Sequence, residues 1–326
     1  MKYVFISKVG DILPIAQRVE EEGNEVSVYI CKDETLIVDK HITEFGPDII
    51  FIDSYGFGLL ATRLRNRGFK VIGGSQLTDQ LEEDTLYEKR VLKTFGVATD
   101  GGSAATVSVE AWFNGKHWVA VSYTADATTT MGERDDRLFT CGLGKLSLAF
   151  SKAQYAGVVS LDAHVGNGAV YFNRLRARAS SATILAIKEG LKGRLSNLLY
   201  TLAYEQNRVF MFKPGWYIQV PIIVYTNDVL GNGGHMDFTV EHLGPEVAKH
   251  IWLYGFSKRN QDSYSYHGRS GRVAVVTARG DTIREARRRV YRTAFGVGIP
   301  NAMFQKNIGN KAQGVFNKLK EDKWIG

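Results

Sequence analysis

Residues 2–75 alternate short apolar runs with amphipathic segments, and this alternation constrains the fold more than any other feature of the chain. We predict strands over Lys2 to Ser7, Glu25 to Cys31, Asp48 to Asp53 and Lys70 to Ile72, with helices over Ile12 to Glu22, Thr35 to Phe45 and Leu59 to Arg67. Such an order indicates a parallel sheet covered by helices on both faces. Ligands bind such sheets at the carboxyl ends of the strands. Those ends are Ser7 to Asp11, Asp53 to Gly58 and Gly73 to Gln76.

A glycine-rich joint interrupts this α/β pattern. A helix is predicted from Thr78 to Phe95, and the stretch GVATDGGSAATVSVEAW follows it from Gly96 to Trp112. Gly101, Gly102 and Ser103 have the composition of a flexible linker. A new strand begins directly after them, so the joint connects two structural units.

The chain beyond the joint has the pattern of antiparallel sheet. Strands are predicted over Val107 to Phe113 and His117 to Tyr123, with the turn residues Asn114 and Gly115 between them. Tyr155 to Val165 and Ala169 to Phe172 form a second predicted hairpin. The remaining predicted strands are Tyr217 to Tyr225, His250 to Tyr254 and Arg272 to Ala278, and the remaining predicted helices are Ala182 to Glu189, Leu195 to Glu205 and one that starts at Ile283.

Composition narrows the class of protein. The 326 residues are 44% hydrophobic and 23% charged, which is ordinary for a globular protein, and no apolar run is as long as a membrane span. MKYVFISKVG is predicted as a first strand and lacks the features of a secretory signal. With only Cys31 and Cys141 present, we expect a reducing, cytoplasmic environment.

The net charge of +7 suits an anionic partner such as a phosphorylated metabolite, a nucleotide or nucleic acid. No block of Lys and Arg with interleaved aromatic residues marks a nucleic-acid surface, so a solvated basic surface is the preferred interpretation. The arginine-rich segment after Ile283 is interpreted as a solvated helix face over an apolar stripe of Ile283, Ala286, Val290 and Ala294. His235 and Asp237, in GNGGHMDF, are too few for a metal site, and a loop is the better interpretation.

Four stretches together resemble one enzyme family. They are DIIFIDSYGFGLLATRLRNRGFKVIGGS (48–75), QLEEDTLYEKRVLKTFGV (80–97), YAGVVSLDAHVGNGAVYFNRLRARAS (155–180) and VAVVTARGDTIREARRRVYRTAF with MFQKNIGNKA (273–312). Their order and spacing resemble glycinamide ribonucleotide synthetase (phosphoribosylamine–glycine ligase), an ATP-grasp ligase.

The resemblance implies a fold and a domain division. It implies an α/β fold with a pre-ATP-grasp domain over 1–97, an ATP-grasp core with antiparallel strands over 107–212 and a small α+β C-terminal domain over 213–326. The family carries a nucleotide-binding lid of several dozen residues where this chain has only the joint at 98–106. Either the natural protein has lost this lid, or the lid was removed and replaced by the joint.

The resemblance also implies a chemistry and a set of site residues. The family uses ATP and Mg²⁺ to turn a carboxylate into an acyl phosphate, which an amine then attacks. The positions that match its substrate loops are Gly10, Asp53, Ser54, Asp126, Gly142 and Gly144, and an arginine of the family corresponds to Arg174 or Arg176. Asn173 matches a metal ligand of the family, and Asp162 on the partner strand is a candidate to supply a carboxylate. No catalytic residue is assigned.

Several matched positions depart from the family. Tyr171 replaces a glutamate that binds metal, and a phenol is a poor magnesium ligand at neutral pH. The family's aspartate-histidine-lysine-arginine run is reduced to Asp126 followed by Ala127, Thr128 and Thr129. Two hypotheses follow. The protein is a divergent ATP-dependent ligase for a carboxylate and a phosphorylated or nucleotide-like amine, or it is a non-catalytic ligase fold that binds a metabolite or a protein partner. We expect this chain, without its lid, to be inactive in either case.

Overall fold

The computed structural model describes residues 1–31, 36–99, 107–166, 168–178, 181–206, 208, 210–224, 239–240, 245–258, 264–266, 271–299 and 301–326. The first part of the chain is the predicted α/β unit. Its strands are β1 (Lys2–Ser7), β2 (Glu25–Ile30), β3 (Ile49–Ile52) and β4 (Val71–Ile72), and its helices are α1 (Leu13–Glu21), α2 (Leu36–Phe45) and α3 (Gly58–Asn66). The four strands are parallel and lie in the order β2-β1-β3-β4, which confirms the prediction.

The alternation of β1 explains why helices cover both faces of this sheet. Tyr3 and Phe5 belong to the apolar cluster that includes α1, whereas Val4 and Ile6 belong to the cluster that includes α3. All four side chains are buried. Successive residues of a strand point to opposite faces, so a continuous apolar run is what a sheet buried on both faces requires.

The single helix predicted from Thr78 to Phe95 is wrong. The segment forms two helices, α4 (Gln76–Glu83) and α5 (Thr85–Thr94). Asp84 separates them because its backbone is extended, with φ −115° and ψ 99°. Its carboxylate accepts hydrogen bonds from the backbone N–H groups of Leu86 and Tyr87, so it caps α5. The Asp84 cap stabilises the start of a second helix, and the apolar periodicity alone did not reveal that the first helix ends there.

The rest of the chain is built around one antiparallel sheet. The strands are β5 (Val107–Phe113), β6 (Trp118–Ala125), β7 (Thr128–Gly132), β8 (Gly157–Gly166), β9 (Ala169–Arg176), β10 (Trp216–Val224), β11 (Thr239–Val240), β12 (Ile251–Leu253), β13 (Phe256–Lys258), β14 (Tyr264–Tyr266), β15 (Arg272–Gly280) and β16 (Ala302–Met303). The helices are α6 (Arg137–Cys141), α7 (Ser147–Lys152), α8 (Ser181–Lys188), α9 (Leu195–Ala203), α10 (Pro245–Ala248), α11 (Ile283–Gly296) and α12 (Ala312–Glu321), with a 3-10 helix over Leu143–Leu146.

Within the described residues the large sheet has nine strands, and it runs across the expected domain boundary at residue 212. Its order is β12-β15-β10-β7-β6-β5-β8-β9, and β16 pairs with β10. β11, β14 and β13 form a separate three-stranded sheet. Strands from both sides of residue 212 therefore share one hydrogen-bonded sheet, because β10 pairs with β7 on one side and with β15 on the other.

Helices cover both faces of the large sheet. Apolar residues of α6, α7 and α12 pack on one face, and α11 packs on that same face over β10 and β15. The opposite face packs against α8 and α9, whose apolar residues also join the cluster of Tyr3 and Phe5. α8 and α9 therefore form a layer between the two sheets. The carboxylate of Glu22 fixes this layer by accepting from the N–H groups of Leu195 and Ser196, both at 2.8 Å.

The two described ends of the joint lie on opposite sides of the β8–β9 hairpin. Thr99 bridges to Phe172 at the outer side of β9, and the carbonyl of Ala98 accepts from the Phe172 N–H at 2.8 Å. Val107 begins β5 and pairs with Ala163 on the inner side of β8. Thr99 and Val107 therefore lie three strand spacings apart, or about 14 Å. Across the parts of the chain that the structure describes, no helix is both long and apolar enough to span a bilayer.

Candidate functional site

One face of the large sheet changes from apolar to polar along its strands. At one end, Trp112, Ala120 and Val158 pack against α8 and α9. Towards the other end the same face carries Ser108 and Glu110 of β5, Ser122 and Thr124 of β6, Thr129 of β7, and Ser160 and Asp162 of β8. This set of seven residues is called the polar face below. Burying a polar group costs free energy unless the group is hydrogen-bonded, so the hydrogen bonds on this face are needed to offset that cost.

Glu110 lies at the centre of the polar face and is fully enclosed. Its carboxylate accepts from the Thr183 hydroxyl of α8 at 3.0 Å and from the Thr124 hydroxyl at 3.3 Å. Thr124 and Thr129 are also hydrogen-bonded, at 2.8 Å. Burial raises the pKa of Glu110 to about 7, although both hydroxyls oppose the shift. The Glu110 carboxyl group therefore changes its protonation state near neutral pH.

Sequence reasoning missed Glu110. The signal was a single acidic residue inside the strand VSVEAWF, on the same side as Ser108 and Trp112. Its burial depends on α8, which is distant in sequence, and so the strand pattern alone could not indicate it.

Asp162 and Arg176, both predicted site residues, form an ion pair at the edge of the polar face. The terminal guanidinium nitrogens Nη1 and Nη2 of Arg176 donate to the two carboxylate oxygens of Asp162, and Nη1 also donates to the Ser160 hydroxyl at 3.1 Å. Ser108 donates a second close hydrogen bond to Asp162. The Asp162 side chain is 10% exposed and that of Arg176 is 28% exposed. The carboxylate is therefore already neutralised by protein groups.

The expected magnesium ligands do come together, but they do not fit the ion. Asn173 is the register partner of Asp162, as a β-bulge between Leu161 and Asp162 allows. Tyr171 lies two residues before Asn173 and is 40% exposed. Among the described residues there is no group of three or more histidine, cysteine or acidic side chains that could hold a metal. Mg²⁺ in phosphate-transfer sites takes one or two free carboxylates, and Asp162 is paired with arginine, so the residues present do not fit it.

The carboxyl edge of the parallel sheet brings three other predicted residues together. Asp53 accepts from the Ser7 hydroxyl at 2.9 Å and from the Ser54 hydroxyl at 2.5 Å. The Gly10 N–H donates to Ser7 at 2.9 Å, and the Lys8 N–H donates to Ser54 at 3.0 Å. Gly10 has φ +83°, a conformation that glycine adopts without strain. Burial raises the pKa of Asp53 to about 6.

Two arginines connect this edge to the large sheet. Arg178, two residues beyond Arg176, pairs with Glu82 at 3.0 Å and lies 5.1 Å from the centre of the Tyr55 ring. Arg272, at the start of β15, pairs with Asp11 at 3.3 Å. These contacts bring the Asp53 edge and the Asp162 edge next to each other, and the space between the two edges is called the cleft below.

The other three predicted substrate residues lie away from this cleft. Gly142 packs on the opposite face of the large sheet, where a Cβ atom would come within 2.7 Å of the Phe172 ring, and Gly144 packs near Phe139. Asp126 occupies the β6–β7 turn with φ +46°, and its carboxylate accepts from the Lys311 N–H at 2.9 Å. A ligand role for these residues stays a prediction. His235 and Asp237 lie outside the described residues.

A second buried polar group lies at the far end of α8 and was also missed. Glu189 accepts from the Thr277 hydroxyl at 2.5 Å and contacts His250 Nδ1 at 2.9 Å. The indole N–H of Trp252 donates to Thr277 at 2.7 Å. The hydrogen bond to Glu189 raises the pKa of His250. These contacts fix α8 against β12 and β15, so we interpret the group as a structural element.

Comparisons with known proteins bear on the fold. Neither a family model nor a curated protein matches the sequence. Solved structures do match. Phosphoribosylamine–glycine ligase from Thermotoga maritima has a TM-score of 0.65 and 14% identity, over 94% of this chain and 100% of that one. The biotin carboxylase domain of a single-chain bacterial carboxylase has a TM-score of 0.62 and 10% identity, over 99% and 100%.

Urea carboxylase from Kluyveromyces lactis has a TM-score of 0.65 and 9% identity, and the match covers all of this chain but 32% of that protein. At such identities the likeness shows the fold alone. The predicted α/β fold and the predicted structural resemblance to phosphoribosylamine–glycine ligase are confirmed, at low sequence identity.

Proposed function

We propose that the protein is a divergent ATP-dependent ligase that joins a carboxylate to an amine through an acyl phosphate. The cleft between the Asp53 edge and the Asp162 edge is its substrate site. The observation that carries the proposal is the placement of both edges in one cleft of a ligase fold, linked through Arg176 and Arg178. This cleft is walled by two groups of hydroxyls and carboxylates, which suits a polar substrate.

The cations of the cleft favour a phosphorylated or nucleotide-like amine as the substrate. Arg176 is more than a quarter exposed while Asp162 behind it is nearly buried, so its guanidinium can meet a phosphate without leaving the carboxylate. Arg178 and Lys8 both lie against the Tyr55 ring, at 5.1 Å and 4.7 Å. Planar guanidinium groups bind phosphate through paired N–H donors.

The second candidate is a non-catalytic protein of the same fold that only binds such a ligand. Two features favour this non-catalytic candidate. Asp162 is paired with Arg176, and residue 171 is a tyrosine, so both positions lack a free carboxylate where the family binds metal. The two candidates predict the same cleft and the same ligand class. They differ in whether phosphate is released.

A comparison of two proteins tests the proposal. One is this chain, and the other carries a family lid inserted at 98–106. Each is incubated with a panel of amine–carboxylate pairs and with ATP as its preformed Mg²⁺ complex, since the described residues do not fit the ion by themselves, and phosphate release and thermal unfolding are measured. We expect the lidded protein to release phosphate with one pair and to be stabilised by about 2.7 kcal/mol at 100 times its Kd for ATP.

Substitutions of Asp162 and Arg176 test whether the activity depends on the cleft. An Asp162→Asn/Arg176→Gln double variant removes the pair without leaving a single buried charge, and Arg90→Gln is a matched control because Arg90 is exposed on α5. The double variant should lose the response to substrate and the control should keep it. Binding without phosphate release for any pair supports the non-catalytic candidate. No binding by either protein refutes both.

A further inference from the structure

The outer surface of α11 carries a row of arginines that no acidic group among the described residues neutralises. Arg284, Arg288 and Arg292 are exposed, and within the described part of the chain none of them pairs with a carboxylate. The other two arginines of the helix are engaged, since Arg289 pairs with Glu285 and Arg287 donates to the Ile308 carbonyl. Residues four apart lie about 6 Å apart along a helix axis, so the free arginines form a line of positive charge.

An aromatic side chain stands at the end of this row. Phe295 is 65% exposed, which is unusual for a residue of its size. Its ring makes an edge contact with Phe304, with the ring centres 5.0 Å apart and the planes at 72°. Lys306 Nζ lies 6.0 Å from the Phe295 ring centre. At 100° per residue, Phe295 falls between Arg284 and Arg288 on the helix surface, so it continues the arginine row.

We propose that this surface, formed by Arg284, Arg288, Arg292, Phe295 and Lys306, binds single-stranded nucleic acid. Single strands are bound by positive charges that follow the phosphates and by aromatic rings on which bases stack. The arginine row supplies the charges, and Phe295, held by Phe304, supplies the ring. An unpaired base is required, because the face of a paired base is hidden in the stack.

The same features disfavour other occupants. The centres of protein interfaces are depleted of charge, whereas this surface carries three exposed arginines, and a lysine lies beside its one exposed aromatic ring. A membrane-bound amphipathic helix must offer its apolar face to lipid. The apolar face of α11 is instead buried, with Ile283, Ala286, Val290 and Ala294 packed on the sheet.

This surface lies on the opposite side of the large sheet from the cleft, since α11 packs on the face that α8 and α9 leave free. The inference therefore does not depend on the proposed ligase activity. It also revises the interpretation of the arginines as a merely solvated face, because the sequence did not indicate that Phe295, Phe304 and Lys306 meet at the end of the helix.

Fluorescence anisotropy with a labelled 20-nucleotide oligothymidylate tests the inference. The chain should bind the probe at 50 mM NaCl. An Arg284→Gln/Arg288→Gln/Arg292→Gln variant should bind at least ten-fold more weakly, and its log Kd should depend less steeply on log salt by about 2, since each lost phosphate contact removes about 0.7. A control triple variant, Lys89→Gln/Lys318→Gln/Lys320→Gln, loses the same charge from exposed sites elsewhere and should change binding by less than about two-fold.

Substitutions at Phe295 separate stacking from charge. Phe295→Leu should weaken binding about five-fold or more, and Phe295→Trp should retain it, because tryptophan also stacks with bases. All these positions are exposed, and thermal unfolding verifies that the variants fold. The inference is refuted if the chain does not bind the probe, or if the two triple variants lose affinity equally. It is also refuted if Phe295→Leu binds like the unmodified chain, or if a duplex or anionic lipid vesicles bind more tightly than the single strand.

Discussion

Replacing Glu110 with glutamine should make the stability of the protein less dependent on pH. Burial raises the pKa of Glu110 from 4.5 to about 7. The folded state therefore binds a proton more tightly than the unfolded state does. The stability that protonated Glu110 contributes is fully present below pH 4.5 and is lost as the pH rises through 7. A shift of one pKa unit corresponds to about 1.4 kcal/mol, so the loss amounts to about 3 kcal/mol.

Urea unfolding from pH 5 to pH 8, followed by tryptophan fluorescence, measures this effect. We expect the free energy of unfolding of Glu110→Gln, relative to the unmodified chain, to rise by about 2–3 kcal/mol over this range and then to level off. Asp53, whose pKa is about 6, titrates in both proteins and cancels in the difference. Glu133→Gln, at an exposed position, serves as the control and should give a flat difference. A flat difference for Glu110→Gln as well would show that this carboxyl does not titrate near neutral pH and would refute the reasoning.

Three other predictions concern packing and the ion pair. Gly142→Ala should destabilise the fold by about 1–3 kcal/mol, because its Cβ atom would press on the Phe172 ring, and a loss below about 0.5 kcal/mol in urea unfolding would contradict a packing role. Asp162→Asn should cost about 1–2 kcal/mol, a value reduced for the partial exposure of Arg176, and the cost should be smaller in the Arg176→Gln background, as a double-mutant cycle would show. Phe150→Ala should cost about 3–5 kcal/mol and lower the thermal midpoint, since this ring is buried against three aromatic residues, Phe113, Trp118 and Tyr155.

Local patterns in the sequence were sufficient to predict the parallel sheet. Each of its strands is a short apolar run between turn residues, and the polar residues at the carboxyl ends of two of them, Ser7 and Asp53, do meet in the structure. The order of apolar and polar residues within each segment determines these strands and helices, and a sequence pattern shows that order directly. The break at Asp84 was not predictable in this way, because a helix cap is defined by a backbone angle that tertiary packing selects.

For the central part of the site, the sequence could predict which residues belong to it but not which contacts they make. The resemblance placed Asp162, Asn173 and Arg176 on one hairpin, but their contacts depend on a bulge that shifts the register after Leu161. Glu110 became significant only because α8 covers it with Thr183. β7 was missed because TTTMG is short and follows a turn with two residues at positive φ. In each case the deciding contact is between segments far apart in the chain.

The anchoring of the joint has a practical consequence for protein engineering. Its ends are fixed about 14 Å apart, and one of them touches Phe172, the neighbour of both Tyr171 and Asn173. A guest domain whose termini are separated by that distance could be inserted without distorting the hairpin. A guest whose termini separate or approach on binding an analyte would instead pull directly on β9. The fold thus offers an insertion point for a biosensor, in which tension on one strand reports what the guest has bound.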